Sequence, residues 1–105
     1  MIKVTYLTNV EGASKPEKTS IRILPGRYYV QYDVPGKAEA TVKKMKEDGR
    51  RNVLFSRGVM IQTFPNKTEK EILEIVKKDI ENGIIVAEEK TKRKPKITDL
   101  VIEEK

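Results

Sequence analysis

The chain has 105 residues, 37% of them hydrophobic and 36% charged, against the roughly 25% charged of ordinary globular domains; that length holds one small-cored domain. It contains no Cys, His or Trp, which excludes disulfides, thiolate zinc sites, Cys nucleophiles and the commonest general base and metal ligand. Lys and Arg number 22 against 16 Asp and Glu, a net charge of +6, and this surplus favours an anionic partner: nucleic acid, a phosphorylated ligand or an acidic protein surface.

Ile2-Lys3-Val4-Thr5-Tyr6-Leu7 alternates β-branched, polar and aromatic residues and reads as a strand rather than a signal peptide. Residues 9–19, with Gly12, Ser14 and Pro16, read as a loop. Ile21–Leu24 is a second strand, Pro25-Gly26 a tight turn, and Arg27–Asp33 a third strand. After Pro35-Gly36 the period becomes helical over Lys37–Asp48, with Ala38, Val42 and Met45 on one stripe and Gly49 as the stop. Asn52–Phe55 and Val59–Phe64 are the fourth and fifth strands, turned by Ser56-Arg57-Gly58. Thr68 and Glu71 have capping-box spacing. Ile72, Leu73, Val76 and Ile80 make the apolar stripe of a second helix, stopped by Asn82-Gly83. Ile84–Val86 reads as a sixth strand and Ile97–Ile102 as a seventh.

The order strand, turn, strand, Pro break, helix, Gly stop occurs twice. An offset of 30 residues places Leu54 on Leu24, Arg57 on Arg27, Met60 on Val30 and Pro65 on Pro35. The expectation is therefore an α+β fold: an antiparallel sheet, two helices packed on one of its faces, and a ββα-ββα pseudo-repeat. Residues 1–89 form the domain. Residues 90–105 are a basic segment with a C-terminal strand, either part of that domain or a tail.

The densest chemical signal is Lys90-Thr91-Lys92-Arg93-Lys94-Pro95-Lys96, five cations in seven residues. Such a run binds phosphates by charge density and counterion release rather than by reading bases. Arg27 and Arg57, expected at matching hairpin positions, and Arg50 and Arg51 after the first helix could grip phosphate bidentately. Three of the four tyrosines lie on the third strand. Tyr28 and Tyr32 share a face with Val30 at the core margin, and Tyr29 points to the other face, where it could stack on a base. The carboxylates of the second helix, Asp79 included, alternate with lysines and read as a solvated, salt-bridged surface, with Glu74 and Lys78 a favourable i,i+4 pair.

No glycine-rich phosphate loop or metal-loop spacing occurs, and no serine has a His or Cys to activate it. No apolar run approaches the roughly 20 residues of a membrane span. The expectation is a cytoplasmic, cofactor-free and metal-free binding protein, not an enzyme. It contacts DNA or RNA phosphates through Lys90, Lys92, Arg93, Lys94 and Lys96 with the arginines. The alternatives are a small regulatory or inhibitory protein that docks on another protein, and a binder of a phosphorylated nucleotide. Apolar residues on both faces of the fifth strand also admit a homodimer.

Overall fold

The computed structural model describes residues 1–9, 15–86 and 96–104. The elements are β1 (Ile2–Asn9), β2 (Glu17–Leu24), β3 (Arg27–Tyr32), α1 (Lys37–Glu47), β4 (Val53–Ser56), β5 (Val59–Thr63), α2 (Glu69–Glu81) and β6 (Lys96–Glu104). This is an α+β fold with one six-stranded sheet in the order β4-β5-β3-β2-β1-β6. Every neighbouring pair is antiparallel.

Alternation along the strands decides which side chains meet. Val4, Ile21, Val30 and Met60 stand opposite one another across four strands and are buried. Ile2, Ile23 and Tyr28 make the adjacent buried row. Burial of apolar side chains of this size stabilises by about 1.5–3 kcal/mol each. Helix α1 lies against β3, β4 and β5, and α2 against β2 and β3. Ala38, Thr41, Val42 and Met45 of α1 are buried, at i, i+3, i+4 and i+7. In α2 the buried set is Ile72, Leu73, Val76, Asp79 and Ile80.

Both helices end in the same way. In α1 the amide of Gly49 donates to Lys46 O and that of Arg50 to Met45 O. In α2 the amide of Gly83 donates to Ile80 O and that of Ile84 to Asp79 O. These are Schellman pairs, and the glycines sit at φ 97° and 72°, where a Cβ is strained. At its start α2 has the capping box of Thr68 and Glu71.

Three expectations change. β1 and β2 are longer than their apolar runs, pairing out to Thr8 and Glu17, because Thr8 and Thr19 serve as inward residues and are buried. Ile84–Val86 is not a strand. It follows the α2 stop as a bend and turn, with Ile85 and Val86 buried against the core. A short apolar run fits a core plug as well as a strand. The two hairpin turns are 25–26 and 57–58, with Gly26 and Gly58 at matching positions of positive φ. Arg27 therefore opens β3, whereas Arg57 sits in a turn at φ 49°. The 30-residue alignment of these two arginines is not the alignment of the hairpins.

Candidate nucleic-acid interface

Strand residues that alternate with the buried rows make a second surface, centred on Tyr29. Across the sheet Lys3, Arg22, Tyr29, Ile61 and Leu54 form one row. Thr5, Ser20, Gln31, Val59 and Ser56 form the next. All of these are half-buried or exposed. The Arg22 guanidinium lies 5.5 Å from the Tyr29 ring centroid and that of Arg27 lies 5.6 Å from it. Arg22 arrives from the neighbouring strand and Arg27 from two positions back on the same strand. Both distances fall within cation–π range. A 260 Å³ depression is lined by Lys3, Ser20, Arg22, Tyr29, Gln31 and Val59.

By strand register the charged residues on this side are Lys3, Lys18, Arg22, Arg27 and Lys96, against the carboxylate Glu103. Alternation alone produces this separation. Positions 18, 20, 22 and 24 of β2 are out of phase with buried Thr19, Ile21 and Ile23.

Arg50, expected as a phosphate ligand, is held elsewhere. As the third residue past the end of α1 it reaches α2. There its guanidinium donates to both carboxylate oxygens of Asp79, at 2.8 and 2.5 Å. The Tyr28 hydroxyl donates to Asp79 Oδ2 at 2.9 Å. Asp79 is 2% exposed, so its assignment to the solvated face of the second helix is corrected. Hydrogen bonding to Asp79 raises the Arg50 pKa above its ordinary value. Burial, with the Asp79 charge adding to it, pushes the Tyr28 phenol well up. Tyr28 is a core residue rather than a marginal one, stacked on Phe64 at 5.9 Å. Tyr32 is half-buried; its hydroxyl lies 2.8 Å from Thr41 Oγ1 and donates to the carbonyl of Ile85.

The other predicted residues separate. Arg51 and Arg57 are exposed, Arg51 between α1 and β4 and Arg57 at the β4–β5 turn. Lys96 is the first residue of β6, opposite Asn9. Lys90, Lys92, Arg93 and Lys94 lie outside the described residues. Glu74 pairs with Lys77 at 3.6 Å rather than with the expected Lys78. Lys3, Lys18 and Arg22 were missed as a group, because they are scattered in sequence and become neighbours only through pairing. Among the described residues no cluster of three His, Cys, Asp or Glu could hold a metal. Nor is any helix among them long and apolar enough to cross a membrane.

Comparisons of the chain with protein-family models, with curated proteins and with solved structures find no match.

Proposed function

We propose that this protein binds single-stranded nucleic acid on the Tyr29 side of the sheet, with both helices packed on the opposite, Tyr28 side. The observation that carries the reading is the Tyr29 ring with Arg22 and Arg27 within 5.6 Å of it, on a surface whose charges are mostly cationic. An aromatic ring and guanidinium planes stack on bases without choosing among them, and neighbouring Lys and Arg hold the phosphates. Lys90, Lys92, Arg93 and Lys94 add charge to a strand that passes Lys96. Such binding is non-catalytic and needs no cofactor.

The test is fluorescence anisotropy of labelled DNA and RNA oligonucleotides across a salt series. Tyr29→Ala weakens single-strand binding by about 1–3 kcal/mol per stacked base. Arg22→Ala with Arg27→Ala reduces the salt slope. If no oligonucleotide is retained at low salt, the proposal fails. A second reading, docking on another protein in a regulatory or inhibitory role, then takes its place. It has an observation of its own: both sheet edges carry exposed apolar residues, Leu54 and Phe55 on β4 and Leu100 and Val101 on β6.

A further inference from the structure

A second cavity, of 510 Å³ and widely open to solvent, lies where the α1–β4 and β5–α2 loops meet, and it has room for a small ligand. Arg50, Arg51 and Asn52 line it from the first loop, Asn66 and Lys67 from the second, and Gln62 from β5. The walls are tied in place. Arg50 is fixed by Asp79, and the second loop is stapled to the β2–β3 turn by Gly26 N to Lys67 O at 3.1 Å and Phe64 N to Gly26 O at 2.5 Å.

Two features of the lining call for a ligand. With Arg50 neutralised by Asp79, Arg51 and Lys67 remain, and neither has an ion-pair partner among the described residues. Gln62 is 3% exposed and its Oε1 accepts no hydrogen bond among them. A buried acceptor without a donor is unfavourable, and because Oε1 is shielded in this conformation, the Gln62 amide has to turn toward the cavity it lines to meet a ligand N–H or O–H. Two free cations suit a phosphomonoester, which carries about −1.5 to −2 at pH 7, better than the single charge of a phosphodiester. The amides of Asn52, Asn66 and Gln62 suit the hydrogen-bonding groups of a nucleoside.

We infer that this cavity takes a nucleoside monophosphate unit, its phosphate between Arg51 and Lys67 and its nucleoside toward Gln62. The unit has two sources: a free nucleotide, or the phosphorylated end of a strand. The second rests on the strand-binding reading above and follows from position. Thr63, which lines the cavity, is paired with Arg27, so the cavity lies at the end of the sheet next to Arg27.

The experiment compares one oligonucleotide with a 5′-phosphate, a 3′-phosphate or hydroxyl ends, together with free nucleoside monophosphates and the parent nucleosides. Anisotropy and thermal shift are the readouts. A strand-end site binds one phosphorylated strand about tenfold more tightly than the hydroxyl strand, two charge-assisted contacts being enough for that. A free-nucleotide site shows thermal stabilisation by the monophosphate and none by the nucleoside. Arg51→Ala with Lys67→Ala abolishes either effect, whereas Lys43→Ala with Lys46→Ala, which removes equal charge from exposed positions of α1, preserves it. If all strands bind equally and no monophosphate stabilises, the inference is overturned while strand binding on the Tyr29 side stands. If no strand binds but a monophosphate stabilises, strand binding fails and the cavity is a free-nucleotide site. If neither occurs, both fail.

Discussion

Asp79 is the residue on which three parts of the molecule converge: the end of α1 through Arg50, β3 through Tyr28, and its own helix. A buried carboxylate is tolerated only when its charge and lone pairs are met, and here one guanidinium and one phenol meet them. Asp79→Ala leaves a guanidinium and a buried hydroxyl without their acceptor. The side chain of Arg50 keeps 23% of its exposure, so water screens part of the loss, and the expected cost is about 3 kcal/mol in urea unfolding. Tyr28→Phe removes one hydrogen bond and costs about 1 kcal/mol. Equal costs for the two variants would contradict this account of Asp79.

The tyrosines also set an alkaline limit. Burial raises the phenols of Tyr6, Tyr28 and Tyr32 above the usual value of 10.0. In the unfolded chain they ionise near that value, and in the folded protein they do not. Their contribution is therefore complete below about pH 10 and is lost as pH rises beyond it. The melting temperature should stay flat with respect to these groups up to about pH 9 and fall above pH 10. The tyrosinate absorbance of these three should appear together with unfolding, and its gradual appearance in the folded state would show that they are accessible.

At the scale of the element, α2 combines local and tertiary control. Thr68→Ala removes the capping box and costs about 1 kcal/mol. Gly83→Val forces a β-branched residue to φ 72°, where the strain is about 1–2 kcal/mol. Val76→Ala opens a cavity in the fully buried stripe and costs about 1–3 kcal/mol, less than Leu→Ala because less volume is lost. Chemical denaturation ranks the three, and an unchanged midpoint for Val76→Ala would contradict the helix phase. Helix phase, caps and stops are local properties: phase and Gly stop are legible in sequence for both helices, and the capping box for α2. Strand ends were less legible, since Thr8 and Thr19 count as polar in a hydropathy pattern yet pack inward. The run Ile84–Val86 was read as a strand because composition cannot tell a strand from a buried turn of the same length.

At the scale of the whole molecule, net charge and its distribution are separate quantities. The proposed surface and the Lys90–Lys96 run would act together on a strand. If about four phosphates are contacted, log affinity falls with log salt at a slope near −2.8 on single strands. Lys92→Ala, Arg93→Ala and Lys94→Ala combined should flatten that slope and weaken all sequences alike, because phosphate contacts do not read bases. An unchanged slope would remove the basic run from the interface and leave binding to the Tyr29 surface alone.

The sequence by itself determined what is encoded within a few residues: an α+β chain, the strand and helix phases, the Gly stops, and the core positions Val30, Val42, Met45, Val53, Ile72, Val76 and Ile80, all buried. It also indicated that Tyr29 faces away from Tyr28, since adjacent strand residues point to opposite sides. Only the tertiary structure decided which distant residues become neighbours. It took Arg50 out of the candidate phosphate ligands by turning it onto Asp79, 29 positions away. It moved Asp79 from surface to core and brought Arg22 to the Tyr29 ring. It also made a cavity from Arg51, Gln62 and Lys67, residues of two loops and a strand. Periodicity reports the direction of a side chain relative to its own backbone. Strand order and register, which are set by packing across the whole sheet, determine what that side chain meets.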